Sequence, residues 1–407
     1  MSKVGAKEHV TQKRIKDLFK DHLKYSYLGD FTDRSNNTNI EVEILTNFLK
    51  KRGINDKLIE LALGQLNKTS AIGDGQNLYD ANNKVYQLLR YGVKVRGSIS
   101  QQYQTVWLID WDNPENNDFA IAEEVTVKGY NTKRPDIVIY INGIAIGVIE
   151  LKRSIVSVSE GIRQNLASQE KKFIRNFFTT IQFVMAGNDT EGLRYATIET
   201  SERYYLEWKE EGGFGEFKLD KHLSLMFEKK RLLELIHDFI VFDLGVKKFC
   251  RHNQYFAVKA AQKRIKKREG GIIWHTQGSG KSLIMVWFSK WIRQNLNNSR
   301  VLLITDRKEL DEQIEGIYRG VSEDIYRTTS GTDLVNELNK NENWLICSLI
   351  HKFGGSDKDE LSDKDLDKFI NEIEKNIMSD FSPKGDIYVF IDECHRTQSG
   401  KLHAAMK

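Results

Sequence analysis

The stretch Gly271-Ile272-Ile273-Trp274-His275-Thr276-Gln277-Gly278-Ser279-Gly280-Lys281-Ser282 carries the most structural information in the chain. An apolar run leads into two closely spaced glycines, then a lysine, a serine and a second apolar run. The pattern predicts a strand over 271–274, a turn over 276–280 and a helix over 281–296. In such a turn the glycines let successive backbone N–H groups point inward, and the following helix adds its positive end. A phosphate fits there. Thr276, Gln277, Gly278, Ser279 and Gly280 would wrap it, Lys281 would reach the outer phosphates, and Ser282 would ligate Mg2+. His275 replaces the first glycine of the general G-x-x-x-x-G-K-[ST] pattern.

A nucleotide held with Mg2+ also needs a carboxylate on a neighbouring strand, and Ile387-Tyr388-Val389-Phe390-Ile391 leads straight into Asp392-Glu393-Cys394-His395. Asp392 is placed to hold the metal and Glu393 to orient the attacking water. Between these two motifs, strands are expected at 301–305 and 344–348, with helices between them and a polar insertion at 355–385. Strands alternating with helices predict a parallel, doubly wound α/β sheet. A basic helix over 254–268 precedes it, with six basic residues in ten from Lys259 to Arg268.

Further upstream the first 70 residues have helical spacing, and from about Val93 the character changes to short β runs, VWLIDW, AIAEEVTV, DIVIY and IAIGVIEL. A helix at about 158–175 and a strand at 181–186 follow. KKRLLELIHDFIVFDL (229–244) is expected as one apolar helix ending at Gly245, giving domains at 1–245 and 246–407. In the first domain Arg134-Pro135-Asp136 opens one strand, and Glu150-Leu151-Lys152 closes the next. Asp136 and Glu150 on adjacent strands could hold Mg2+ against a phosphodiester, with Lys152 steadying charge at the attacking water or the phosphate. That chemistry requires one shared face. A plain two-residue Asn142-Gly143 turn pairs 136 with 149 and separates the carboxylates. A three-residue loop over Ile141–Gly143, or an equivalent bulge, restores them.

Composition limits the remaining possibilities. With 407 residues, two to three domains are expected. Basic and acidic residues number 61 and 57, so any surface for a polyanion must come from local clustering. Apolar runs such as 137–149 fall short of the ~20 residues that span a bilayer. The amino terminus is charged, with no apolar core of a signal, so a cytoplasmic chain without a membrane is expected. Three well-separated cysteines argue against both disulfides and a zinc site.

Asp392-Glu393-Cys394-His395 after a strand, together with His275 to Ser282, resembles superfamily 2 helicases. Arg251-His252-Asn253-Gln254-Tyr255 resembles their adenine-recognising segment, which implies that Gln254 contacts the ATP base. Thr305 to Leu310 resembles a segment that touches nucleic-acid backbone. The order Asp136…Glu150-x-Lys152, then Phe239 to Asp243, then the helicase motifs resembles the R subunit of type I restriction endonucleases. The resemblance implies a PD-(D/E)xK restriction-endonuclease-like domain followed by a RecA-like P-loop domain. It further implies ATP-driven translocation and cleavage of double-stranded DNA, docked on modification (methyltransferase) and specificity subunits. In related nucleases a glutamine on the next helix continues as Q-x-x-x-Y. Gln164 matches the glutamine, but Ser168 stands in the tyrosine's place, and Glu8 is the candidate acidic helper on the first helix. The sequence stops 12 residues after His395, so no second motor lobe is expected, and this chain is expected to hydrolyse ATP poorly. A DNA-repair helicase-nuclease, and an ATP-gated DNA-binding or assembly module with inert nuclease residues, remain as alternatives.

Overall fold

Buried strands with both faces covered read as unbroken apolar runs, and the centre of the first sheet is built this way. The computed structural model describes residues 8–73, 75–98, 102–305, 315, 316, 318, 323–349, 363–377 and 381–392. The chain divides into two compact units, Met1–Asn253 and Gln254–Lys407.

In the first unit, helix α1 (Glu8–Asp17) precedes strand β1 (Ser26–Asp30), and helices α2 (Val42–Lys51), α3 (Asp56–Ser70) and α4 (Leu78–Tyr91) follow. Asn55 and Asn77 cap α3 and α4 by accepting from Leu58 N and Asp80 N. A small antiparallel pair, β2 (Val93–Val95) and β3 (Gln104–Val106), comes next. Of the run VWLIDW only Val106 lies in a strand. The rest turns around Asp110, whose carboxylate accepts from Asn113 N and Asn116 Nδ2 and pairs with Arg52.

The main sheet comprises β1 with β4 (Phe119–Glu123), β5 (Ile137–Ile141), β6 (Ile144–Leu151), β7 (Phe183–Asn188), β8 (Gly192–Ala196) and β9 (Leu206–Glu207), in that spatial order. Pairs β1/β4 and β6/β7 are parallel and the others antiparallel. Every residue of β5 and β6 is buried. Helix α5 (Val158–Ser168) crosses one face of the sheet between β6 and β7.

Helices α6 (Lys218–Met226) and α7 (Lys229–Asp238) close the unit. The expected single helix over 229–244 is corrected: it ends at Asp238, and Ile240–Asp243 forms β10, paired with β11 (Val246–Phe249). The reason lies in the β-branched and aromatic run Phe239 to Phe242, followed by a two-residue turn. Leu244 and Gly245 both have positive φ, 47° and 85°, as a type I′ hairpin requires. The hairpin straddles residue 245, so the first unit continues to Asn253.

In the second unit α8 (His252–Lys266) and α9 (Lys281–Asn295) precede β12 (Ser299–Thr305). Then come β13 (Tyr326–Arg327), α10 (Gly331–Leu338), β14 (Leu345–Leu349), α11 (Asp363–Asn376) and β15 (Asp386–Ile391). The strands are all parallel, in the order β13-β14-β12-β15. Leu302, Ile304 and Ile346 pack with Leu334, Val335 and Ile373 of α10 and α11 on one face. Phe390 pairs with Leu303 and points to the other face, where it stacks on Phe288 of α9 at 5.3 Å. Helices therefore cover both faces. The expected strand at 271–274 is corrected: these residues form none, and Ile272 and Trp274 are 76% and 85% exposed. A strand needs lateral partners for its backbone, and the outer edge of β15 offers it no pairing among the described residues.

Cys250 and Cys347 are buried free thiols. Among the described residues, no helix is long and apolar enough to cross a membrane. Glu393, Cys394 and His395, and Asp306 to Leu310, lie outside the described residues.

Candidate functional site

Asn142 and Gly143 have φ of 51° and 80°, so β5 and β6 are joined by a two-residue type I′ turn that pairs Ile141 with Ile144. Left alone, that register would separate the two carboxylates. It shifts between Ile139 and Tyr140: Tyr140 faces Ala145, but Ile139 faces Gly147, leaving Ile146 as a one-residue bulge. Its carbonyl accepts from Gln182 N–H at 2.7 Å. Beyond the bulge Ile137 faces Ile149, and the next step outward sets Asp136 against Glu150 on one face. The expected bulge is present and the three-residue loop is not.

Glu150 is 1% exposed, and Leu151 N–H donates to Oδ2 of Asp136 at 2.6 Å, tying the start of β5 to the end of β6. Lys152, two residues past Glu150, returns to the same face. Its N–H continues the β6/β7 ladder to Gly187 O at 2.9 Å, and its Nζ donates to Leu151 O at 2.7 Å. All three residues thus meet at the strand ends. Two carboxylates form an oxygen-only donor set suited to a hard cation, and Mg2+ commonly takes one or two such groups and completes its shell with water and phosphate. Asp136 and Glu150 fit that ion. Glu124, just beyond β4, donates its N–H to Asp136 O, while its carboxylate pairs with Arg134 and accepts from Gln12 Nε2.

Helix α5 reaches this face through Gly161, where a Cβ would sit 3.0 Å from Ala186 Cβ and 3.5 Å from Glu150 Cβ. Gln164, one turn along, is half-buried. Glu8 opens α1, and its side chain lies outside the described residues. The sequence reading missed Tyr205, which packs with Val158, Ile162 and Ala186. Its hydroxyl is buried with no hydrogen-bond partner. Burial, then the charge of Glu150, pushes the phenol above its ordinary pKa, so it stays protonated. No local signal marks a residue this far along the chain. A glycine inside a helix usually reports close packing, and that is the signal Gly161 offers.

In the second unit, Gly278 and Gly280 have φ of 73° and 81°. Gln254, 3% exposed, donates Nε2 to the carbonyls of Ser279 (3.0 Å) and Gly280 (3.1 Å), bracing the loop from the first turn of α8. Thr276, Gln277 and Gly278 are exposed, whereas Ser279 Oγ is buried without a hydrogen-bond partner. Burial, and secondarily Lys281, holds the His275 imidazole below its usual pKa. Lys281 and Ser282 form the first turn of α9. This helix packs on the sheet through Phe288, which stacks on Phe390 of β15, the strand that Asp392 follows. Asp392 is 8% exposed, and its N–H donates to Ile304 O at 3.0 Å.

A mixed α/β unit followed by a parallel sheet with a glycine-rich loop at a helix start defines a protein built around a nucleotide-binding unit. Residues 253–407 match the SWI2/SNF2 ATPase family. Residues 6–203 match the family described as type I restriction enzyme R protein N terminus. It is 26% identical to a Methanocaldococcus jannaschii protein named "Putative type I restriction enzyme MjaIXP endonuclease subunit", with 97% of this chain and 40% of that protein covered. It is also 26% identical to the type I restriction enzyme HindI endonuclease subunit of Haemophilus influenzae, covering 86% of this chain and 35% of that one. The chain spans 40% or less of the length of these relatives.

Proposed function

We propose that the first unit is the Mg2+-dependent endonuclease of a type I restriction enzyme, and that the second binds ATP as one lobe of a motor that moves double-stranded DNA. The observation carrying this reading is the bulge at Ile146, which sets Asp136 opposite Glu150 with Lys152 on the same face. When bound, Mg2+ would supply the charge that polarises a phosphodiester and lowers the pKa of the attacking water. Asp136 and Glu150 would hold it, and the Lys152 ammonium would steady the attacking water or the charge gathering on phosphorus. Thr276 to Gly280 would cradle ATP phosphates, with Lys281 on the outer phosphates and Gln254 bracing the loop and meeting the adenine side. Ser282 and Asp392 would hold the nucleotide's Mg2+, and Glu393 would orient water. Modification and specificity subunits, named by the resemblance, are the proposed cytoplasmic partners.

The test is plasmid cleavage with Mg2+ by this chain, alone and assembled with modification and specificity subunits. Asp136→Ala and Lys152→Ala should each lower the rate at least ~100-fold, the scale for removing one charge-stabilising group. Cleavage that persists in both variants, or its absence from the wild type in both settings, would sink the nuclease reading.

A further inference from the structure

Strands β4 and β5 do not stop at the sheet edge. Their ladder continues as Glu124 N to Asp136 O (3.0 Å), Val125 N to Pro135 O (3.1 Å), and a mutual pair between Val127 and Lys133 (2.9 and 3.1 Å). The tip beyond that pair is fixed from the side. Tyr130 N donates to Phe173 O at 3.3 Å, while the backbone N and Nδ2 of Asn131 both donate to Lys172 O, at 3.1 and 2.8 Å. A Cβ at Gly129 would collide with the Phe173 carbonyl, so the approach requires glycine. Lys133 Nζ sits 4.2 Å over the Phe173 ring. On this immobilised tip Tyr130 is 86% exposed. Residues 124–134 and 170–173 carry five cations against two carboxylates. Glu124 and Glu170 are paired with Arg134 and Lys172, while Lys128 and Lys171 stand exposed.

A large aromatic ring held in solvent by five backbone and side-chain hydrogen bonds is not a loop residue that happens to face outward. Burying the ring in the unit's own core is open to a mobile loop and closed to this one. We propose that this tip is the duplex-gripping edge of the nuclease unit: Tyr130 lies against the sugar or base edge of double-stranded DNA, and Lys128 and Lys171 contact its phosphates. The proposal rests on the nuclease reading for which phosphodiester lies at Asp136. Six residues separate Asp136 from Tyr130, and bends at 129–131 keep the span below the ~20 Å of a fully extended chain at ~3.3 Å per residue. At ~3.4 Å per base pair the tip falls within about six base pairs of the cut. A cationic surface with one rigid aromatic matches a polyanion with stacked rings better than it matches a protein face, whose centre is depleted of lysine.

The experiment measures binding of the full 407-residue chain to a labelled DNA duplex by fluorescence anisotropy, in EDTA so that no cleavage occurs and without ATP. Tyr130→Ala should weaken binding about tenfold, near the low end of the range for one aromatic ring stacked on a base, because here the ring lies against an edge. Lys128→Ala with Lys171→Ala should lower the slope of log affinity against log salt by about 1.8, at ~0.9 for each phosphate that is no longer neutralised. Both variants should melt like the wild type, since the altered side chains are exposed. Duplex affinity and salt slope unchanged in both overturn the proposal; if those variants instead lose assembly with the modification and specificity subunits, the tip belongs to a protein interface. Asp136→Ala separates this from the nuclease reading. It should keep duplex affinity while losing cleavage, and an Asp136→Ala chain that still cleaves would remove that reading and leave the tip's role in binding standing on Tyr130→Ala.

Discussion

At the scale of single residues, the site depends on where charge and hydroxyl groups are left after folding. Tyr205 keeps its hydroxyl buried without a hydrogen-bond partner beside Glu150. A buried polar group without a partner costs ~1–3 kcal/mol, and phenylalanine keeps the ring while removing that group. Tyr205→Phe should therefore leave the chain as stable as the wild type or more stable by up to ~1 kcal/mol, read from urea unfolding of the first unit. A loss of stability of that size would show that the hydroxyl has a partner. Asp136, Glu150, Lys152 and the loop residues from Thr276 to Ser282 were legible because each sits at the end of a recognisable run. Tyr205 was not, because only the tertiary fold brings residue 205 to residue 150.

At the scale of elements, local pattern and pairing compete. The alternation in the second unit predicted β12, β14 and β15 to within about two residues, since buried parallel strands announce themselves as apolar runs. The same rule failed at 271–274, where composition suits a strand but no neighbour completes its hydrogen bonds, and at 229–244, where a helical run hides a hairpin. That hairpin is held to the sheet by an unusual residue. Lys247 on β11, 2% exposed, donates to Asn82 Oδ1 (2.8 Å) and Gln182 Oε1 (2.7 Å), with no carboxylate among its hydrogen-bond partners. Burial pushes its pKa well below the ordinary lysine value. Between that depressed pKa and ~10.4, the unfolded chain binds a proton that the folded chain does not, so this group's contribution to stability rises with pH. Melting temperature should accordingly climb through the alkaline range, and Lys247→Met should flatten the climb while lowering stability overall. An identical pH slope in both chains would show that Lys247 is charged when folded.

At the scale of the whole molecule, the division at Asn253 and Gln254 makes two compact units whose proposed ligands differ. A ligand that binds only the folded form of one unit stabilises it by RT ln(1 + [L]/Kd), about 2.7 kcal/mol at 100 times Kd. In differential scanning calorimetry Mg·ATP should raise one transition and leave the other in place, and Lys281→Ala should abolish the shift. Both transitions moving together would mean that the units unfold as one.

The bulge at Ile146 also constrains how the hairpin can change over time. Because side chains alternate, the carboxylate partnership depends on whether the residue count between Asp136 and Glu150 matches the presence of the bulge, rather than on its size. With the bulge kept, a single insertion or deletion in the paired strands breaks the match and paired changes leave it intact. Loss of Ile146 itself removes residue and bulge together and still sets Asp136 against Glu150. Length in this hairpin thus varies by two with the bulge kept or by one with the bulge lost, so a spacing rule that counts residues alone would reject relatives that keep the same geometry.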